Sequence, residues 1–245
     1  MPEFPQLGAL WVYLAASPLL GLTLTLCAYL AAQWIHLRCR ASPLANPVAI
    51  AIAIVAAVLT LSGMSYQRYF EGAQFVHFLL GPATVALAIP LARQMPTLRR
   101  TFLPLTAALF AGSAGAIVSS ALLVLMLGGS ATLAATAAPK SATTPIAMAV
   151  AERLGGVPAL TAILVIGTGI FGAVCARFLF ERMGVHSHQV RGFALGVASH
   201  GIGTARAFQV SPEMGAFAGL GMGLNGVLTA LLAPWLVPLV LRLFA

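Results

Sequence analysis

Long apolar runs, separated by short polar and basic stretches, dominate the pattern of this sequence. The runs are continuous and do not alternate with a period of two, which predicts helices and not the strands of a membrane barrel. At about 20 residues for each helical crossing of a bilayer, 245 residues allow roughly seven or eight hydrophobic segments and no sizeable soluble domain. We therefore predict an all-α integral membrane protein in which residues 1–245 form a single transmembrane domain.

The clearest predicted spans are residues 7–35, 46–64, 75–92, 101–127 and 157–180. Basic residues cluster after the first and the third of these spans, which places both loops on the cytoplasmic side of a membrane. This orientation puts the N-terminus and residues 128–138 outside. No basic region precedes the first apolar run, so we expect a retained span there and not a cleaved signal peptide.

Two later segments, residues 139–153 and 192–208, are too polar or too interrupted for ordinary spans. If the first of them crossed the bilayer, the basic loop at residues 182–191 would lie outside. If it enters the bilayer and returns, that loop lies inside, as the positive-inside rule prefers. We favour the second alternative and predict two broken or re-entrant helices. The last apolar run, residues 215–244, is long and rich in glycine and proline.

An internal similarity supports this architecture. Residues 83–92 resemble residues 142–151, and residues 105–113 resemble residues 160–168. We predict two repeat units, at about residues 80–128 and 139–182. Under the favoured topology the two units end on opposite sides of the membrane, as inverted repeats with broken helices do in many secondary transporters. A helix bundle without internal symmetry is the alternative.

Composition narrows the class of partners. The sequence is 60% hydrophobic and only 7% charged, with a mean hydropathy of +0.97, against about 25% charged residues in soluble domains. The net charge of +8 comes mainly from arginines at predicted helix ends, without interleaved aromatics, so we expect a lipid bilayer and no nucleic acid as partner. The three cysteines lack a CxxC spacing, and we expect neither a disulfide, a metal nor a cofactor.

The first polar segment contains the only lysine of the sequence, Lys140, which stands between two prolines. A half-helix that begins near Lys140 would direct free backbone N–H groups at whatever precedes it, and such a helix end favours an anion. Ser141, Thr143 and Thr144 add hydroxyl donors. Alternatively, Lys140 extends to the outer surface and the hydroxyls bond the backbone. The spacing leaves both alternatives open.

The second polar segment holds His200 and Arg206 in an apolar stretch that is weakened by glycines. An arginine costs about 2.5–3.5 kcal/mol at the middle of a membrane helix, so these side chains must face protein, water or a substrate. Ser199 and Thr204 add hydroxyls to the segment. Asn225, in the last apolar run, is a buried amide that needs partners, which are either the broken segments or a ligand.

Four stretches of the chain, at residues 80–88, 139–147, 198–206 and 221–226, resemble the signature blocks of the LrgB/CidB family. This family includes bacterial inner-membrane proteins called holin-like or antiholin-like murein-hydrolase modulators, and also the C-terminal half of the plant plastid glycolate/glycerate translocator. The resemblance extends over nearly the whole chain. It implies a multi-pass protein of the bacterial inner membrane, transport of small monocarboxylates such as glycolate, glycerate or pyruvate, and a smaller membrane partner of the LrgA/CidA type.

The polar segments and the resemblance together lead to a hypothesis of secondary transport. A small carboxylate would lie between the two broken segments, with Lys140 or Arg206 neutralising its charge and His200 able to carry a coupling proton. Hydrogen bonds would come from the neighbouring polar side chains, namely Ser141, Thr143, Thr144, Ser199, Thr204 and Asn225.

A different class of function is the alternative, a holin-like or antiholin-like membrane protein that modulates murein-hydrolase export and cell lysis. The glycine ladder from Gly215 to Gly223 permits close helix contact and would then serve a homo-oligomer, for which a dimer is favoured. Catalysis is not expected, because the sequence lacks aspartate and has no HExxH or GxSxG motif.

Overall fold

The computed structural model describes residues 19–40, 42, 44–79, 82, 85–86 and 88–244. Helices, and no strands, form the regular structure of these described residues, which confirms the all-α class. The predicted start of the first span, residues 7–18, lies outside them. The chain divides into two compact units, one up to residue 86 and one from residue 87 onward. The single transmembrane domain stays a prediction.

The first unit contains α1 (Leu19–Arg38), α2 (Pro47–Ser62) and α3 (Tyr66–Phe78). Helix α1 packs against both α2 and α3, and the hydroxyls of Thr25 and Tyr69 lie 2.8 Å apart where α1 meets α3. The side chain of Asn46 caps α2 by accepting hydrogen bonds from two backbone N–H groups of its first turn.

The second unit contains α4 (Ala88–Arg93), α5 (Met95–Arg100), α6 (Phe102–Met126), α7 (Ala131–Ala137), α8 (Thr144–Arg153), α9 (Pro158–Arg182), α10 (His188–Val210) and α11 (Pro212–Arg242). Serines at positions 130, 187 and 211 cap α7, α10 and α11. Prolines stand in the first turns of α8, α9 and α11, where their missing N–H has no helical partner to lose. Helix α11 packs against α4, α6, α7, α8 and α10 and is the centre of the unit.

Four of the described helices, α1, α6, α9 and α11, are long and apolar enough to cross a membrane. Helix α2 is apolar but has only 16 residues. These helices, together with the overall composition, identify the chain as a membrane protein. The count of seven or eight segments stays a prediction.

Helix α10 is not a straight rod. Its backbone leaves the helical region at Ser199 (φ −128°) and His200 (φ 42°, ψ −132°). A straight helix of its 23 residues would separate the two ends by about 34 Å. Instead, the Oγ of Ser211, just after α10, lies 3.3 Å from the Nδ1 of His188 at its start. Residues 188–210 therefore form a hairpin of two helical arms, here called the second hairpin, with Ser199 and His200 at its tip.

The chain folds back a first time at residues 138–143, between α7 and α8. The backbone N–H of Val157 donates to Thr136 Oγ1 at 2.9 Å, and Thr161 Oγ1 donates to the Thr136 carbonyl at 3.0 Å. Helix α8 alone spans about 15 Å, so these bonds form only because the chain reverses after α7. Residues 131–153 are here called the first hairpin, and residues 138–143 are its tip.

Within residues 128–138, which the predicted topology places outside, residues 131–137 form α7. This stretch is rich in alanine and contains neither glycine nor proline, so it favours a helix once neighbouring elements bury it. Residues 134–137 are buried, and α7 packs against α6.

Small residues allow the second hairpin to approach α11 closely. A Cβ atom on Gly221 would lie 2.6 Å from the carbonyl oxygen of Phe193, and Gly215 lies directly against the ring of Phe208. A Cβ atom on Gly223 would meet open space. Part of the predicted glycine ladder thus serves packing within the chain, and the homo-oligomer stays a prediction.

Candidate functional site

The side chain of Asn225 connects the tips of the two hairpins. It is 1% exposed, and its Nδ2 donates to the carbonyls of Ser141 and Val197, each at 3.0 Å. Its Oδ1 accepts from Ser113 Oγ on α6. Both N–H groups and the oxygen of this amide are therefore used within the protein, and its partners include both interrupted segments.

The second tip is held on α9 by a histidine. The Nε2 of His200 lies 2.9 Å from the carbonyl oxygen of Val165, and because a carbonyl only accepts, Nε2 carries the hydrogen. Thr204 Oγ1 in turn donates to the His200 carbonyl at 2.9 Å. Gly169 makes room for the imidazole, since a Cβ atom there would lie 2.7 Å from its Cε1. His200 and Thr204 thus have structural partners in this state.

A cavity of about 640 Å³, here called the tip cavity, lies beside the two tips. Apolar side chains form most of its wall. Its polar lining residues are Thr101, Lys140, Ser141, Thr168, Gln189 and Ser199. Among the described residues that line the tip cavity, Lys140 alone carries a charge. No hydrogen bond or ion pair joins its ammonium group to any residue that the structure describes.

Ser199 also lines the tip cavity, and its hydroxyl group is buried. The residue is 1% exposed, and its Oγ has no hydrogen-bond partner in the part of the chain that the structure describes. A buried polar atom without a partner costs free energy. The Oγ is pressed against Gly172 of α9, where any side chain would collide with it. The tip cavity is therefore lined by one ammonium group and by a serine whose buried hydroxyl has no hydrogen-bond partner among the described residues.

Six of the nine predicted site residues do not line the tip cavity. Three of these, His200, Thr204 and Asn225, hold the tips through the hydrogen bonds described above. The other three lie elsewhere. Thr143 caps α8 without a side-chain hydrogen bond and Thr144 is the first residue of that helix; neither lines the tip cavity. Arg206 lines a separate cavity of about 300 Å³, and its Nη1 donates to Gln209 Oε1 at 3.0 Å. Lys140 and Arg206 thus line different cavities, because Arg206 follows the second tip by about 9 Å along the returning arm.

Sequence reasoning did not select several residues that the structure brings to the site. Thr168 lines the tip cavity and Ser113 binds Asn225. Both occur in the internal similarity, where Gly112-Ser113 matches Gly167-Thr168, so a signal for them existed. Thr101 and Gln189 carry no comparable signal, because single polar residues at predicted helix ends resemble ordinary solvated positions.

Comparison with known proteins identifies the family of this chain. A model of the LrgB-like family matches residues 25–239. The chain belongs to the LrgB-like family. The chain is also similar to protein YwbG of Bacillus subtilis, which is 34% identical over 89% of this chain and 97% of its own length. No solved structure matches the chain.

Two further relatives have descriptive names. The holin-like protein CidB of Staphylococcus epidermidis is 30% identical over 83% of this chain and 87% of its own. The antiholin-like protein LrgB of Bacillus mycoides is 26% identical over 91% of this chain and 97% of its own. These matches confirm the resemblance inferred from the four sequence blocks.

Proposed function

We propose that this LrgB-family protein carries small monocarboxylate anions, such as glycolate, glycerate or pyruvate, across the bacterial inner membrane. The observation that supports this is the ammonium group of Lys140, which has no anionic partner among the described residues and lines the tip cavity. A single cation balances a single carboxylate. A dicarboxylate would leave one charge uncompensated against an apolar wall, which is costly.

The neighbouring hydroxyls supply the orientation that a lysine lacks. A lysine acts as a point charge and does not fix the plane of a carboxylate. Ser141, Thr168 and the unpartnered Ser199 line the same cavity and would donate to the carboxylate or to a 2-hydroxyl group. The volume of about 640 Å³ lies in the range of about 300–1,000 Å³ for small-molecule sites. Arg206 has no part in this site.

The order of the elements also supports a carrier. Helices α6 and α9 both have 25 residues, and each is followed by a hairpin. In place of the units predicted at about residues 80–128 and 139–182, we infer that α6 with the first hairpin and α9 with the second hairpin are the two units of an inverted repeat. Both hairpins would then be re-entrant in the membrane. Substrate sites of many secondary transporters lie where the interrupted helices of two repeats meet. In this scheme His200 would exchange a coupling proton through Nδ1, since Nε2 is engaged.

Uptake by reconstituted protein tests the proposal. Liposomes that contain the purified protein should accumulate labelled glycolate saturably, with competition by glycerate and pyruvate but not by succinate. Replacement of Lys140 by Gln should raise KM or lower uptake about tenfold to hundredfold, the value of one charge-assisted hydrogen bond of about 1.5–3 kcal/mol. Lys140→Arg should retain part of the activity. The matched control is Arg153→Gln, which removes a positive charge from the same hairpin but outside the tip cavity. Equal uptake by wild type and Lys140→Gln would refute the site.

A holin-like or antiholin-like role is the second candidate, and the names of the relatives favour it more directly than they favour transport. In that role the protein would work with a smaller LrgA/CidA-type membrane protein and modulate murein-hydrolase export. Liposomes loaded with a mixture of a small anion, a sugar and a dye separate the two functions. A holin-like pore releases all three solutes without saturation, alone or after the partner is added, whereas a carrier exchanges only the carboxylate.

A further inference from the structure

Three arginines from three different helical segments line the 300 Å³ cavity, here called the arginine cavity. Arg177 comes from α9, Arg191 from the first arm of the second hairpin and Arg206 from its returning arm. Arg191 and Arg206 are far apart along a straight helix and share the cavity only because α10 folds back at its tip. Nothing in the sequence pattern around these residues indicates that they meet.

The arginine cavity has an excess of positive charge. Glu181 is the one acidic residue among its described lining residues, and its carboxylate is paired with Arg177 Nε at 2.9 Å. Arg191 donates through Nε to the Val185 carbonyl, and Arg206 donates through Nη1 to Gln209. A guanidinium group carries five N–H donors, so most donors of Arg191 and Arg206 remain available, with two positive charges not neutralised by the lining.

Apolar side chains form the remainder of this wall, including Phe180, Leu195, Val210 and Met214. The guanidinium carbon of Arg191 lies 5.7 Å from the centre of the Phe180 ring, within the range of a cation–π interaction. The cavity therefore offers several N–H donors beside an apolar wall. This combination suits an anion that is attached to an apolar body.

We propose that the arginine cavity binds a phosphate group, which anionic phospholipids carry on an acyl-chain body and which free inorganic phosphate presents alone. Arginine is suited to phosphate because its planar fork donates two parallel hydrogen bonds to two oxygens. Basic pockets between membrane helices are known sites for anionic lipid head groups. A phosphate held by Arg177, Arg191 and Arg206 would tie both arms of the second hairpin to α9. The site is separate from the tip cavity and does not rest on the proposed transport.

Thermal unfolding of the purified full chain in a neutral detergent tests this site. Phosphatidylglycerol should raise Tm in a saturable manner, whereas phosphatidylcholine, which has no net charge, should not. Arg206→Gln and Arg191→Gln should each weaken the apparent affinity for phosphatidylglycerol about tenfold, the value of one charge-assisted hydrogen bond. Arg206→Lys should weaken it less. The matched control is Arg182→Gln. Arg182 is an exposed arginine at the end of α9, the helix that also holds Arg177, and it does not line the cavity.

A second experiment, in which sodium phosphate is added at constant ionic strength, identifies the source of the phosphate group. If phosphate alone produces the Arg206-dependent shift, free phosphate is the ligand; if only phosphatidylglycerol does, the ligand is the lipid. The proposal is overturned if phosphatidylcholine stabilises the protein as much as phosphatidylglycerol does, or if neither phosphatidylglycerol nor sodium phosphate changes Tm. It is also overturned if Arg182→Gln weakens binding as much as Arg206→Gln. Native mass spectrometry of the wild type, which counts bound phosphatidylglycerol, decides the matter should a variant fail to fold.

Discussion

The side-chain amide of Asn225 donates a hydrogen bond to the backbone carbonyl of Ser141 at 3.0 Å, from the middle of α11 to the tip of the first hairpin. The other N–H of the same group bonds Val197, beside the second tip. Helices that stop inside a protein leave their last carbonyls without helical partners. One planar amide thus supplies donors to both interruptions, and the wall of the tip cavity depends on it.

Replacement of Asn225 by Asp should destabilise both tips. The aspartate side chain has nearly the same shape but no N–H donor, so the carbonyls of Ser141 and Val197 lose their partners. Each unpaired buried group costs about 1–3 kcal/mol, and we expect the free energy of unfolding to fall by at least about 2 kcal/mol. Thermal unfolding in detergent measures this loss, and hydrogen exchange should show faster exchange at both tips.

Gly223→Ala is the control on the same helix, because a Cβ atom at that position meets open space. We expect it to leave both Tm and the exchange pattern unchanged or slightly improved, since alanine favours a helix over glycine. Equal exchange rates at residues 138–143 in wild type and Asn225→Asp would show that the amide does not hold the first tip.

The long spans could be predicted from the sequence because their information is local. Continuous apolar runs indicated spans at residues 101–127 and 157–180, and the structure has helices at Phe102–Met126 and Pro158–Arg182. The turning points of the two reversals could not be placed in this way, although both reversals lie at the segments that the sequence marks as interrupted, residues 139–153 and 192–208. The first depends on bonds from Thr136 to residues after α8. A chain that reverses because of contacts with distant residues leaves no periodic pattern.

The candidate site likewise contains only some of the residues that the sequence pattern selected. Lys140 and Ser199 stood out as costly polar residues, and both line the tip cavity. Arg206 stood out for the same reason but lines the arginine cavity, because the chain turns back at His200. A positive φ is uncommon for a residue other than glycine, so the neighbouring glycines at positions 201 and 203 were the expected weak points and His200 was not.

Gly172→Ala should dislodge the second tip from α9. The new methyl group would collide with Ser199 Oγ and would lie 3.0 Å from its Cβ. Rotation of the hydroxyl relieves the first contact but not the second, so the tip must move slightly away from α9. We expect a loss of stability of about 1–3 kcal/mol, the usual cost of an overfilled core site, together with loss of any function of the tip cavity. Thermal unfolding and labelled glycolate uptake measure the two effects.

A second glycine of the same helix provides the comparison for this substitution. A Cβ atom on Gly167 meets nothing within 4 Å, so Gly167→Ala should stabilise α9 by about 1 kcal/mol through helix propensity. If both substitutions changed Tm in the same direction and by the same amount, the contact between Gly172 and Ser199 would have no energetic importance.

Ser199→Ala should separate ligand binding from stability. The hydroxyl is buried without a hydrogen-bond partner among the described residues, so its removal should leave Tm unchanged or raise it. If it binds the transported anion, KM for glycolate should rise about fivefold to tenfold, the value of one neutral hydrogen bond of about 1 kcal/mol.

Ser113→Ala is the comparison, because it should lower Tm where Ser199→Ala does not. It removes the donor to Asn225 Oδ1, and it should therefore lower Tm through an unpaired buried oxygen. A fall in Tm for Ser199→Ala as large as that for Ser113→Ala would show that the Ser199 hydroxyl has a structural role instead.

His200→Gly should be more stable than His200→Ala, although glycine normally destabilises a helix. Both substitutions remove the bond from the imidazole to the Val165 carbonyl, so the comparison isolates the backbone. The φ of 42° and ψ of −132° at this position suit glycine, and they cost a residue with a Cβ atom about 1–3 kcal/mol. We expect the free energy of unfolding of His200→Gly to exceed that of His200→Ala by about 1–2 kcal/mol.

Ala205, in the returning helical arm, is the control position. There the order should reverse, and Ala205→Gly should be less stable than the wild type by about 1 kcal/mol. If glycine were less stable than alanine at position 200 as well, the chain would continue as a helix through that residue, and the two arms of α10 would not fold back on each other.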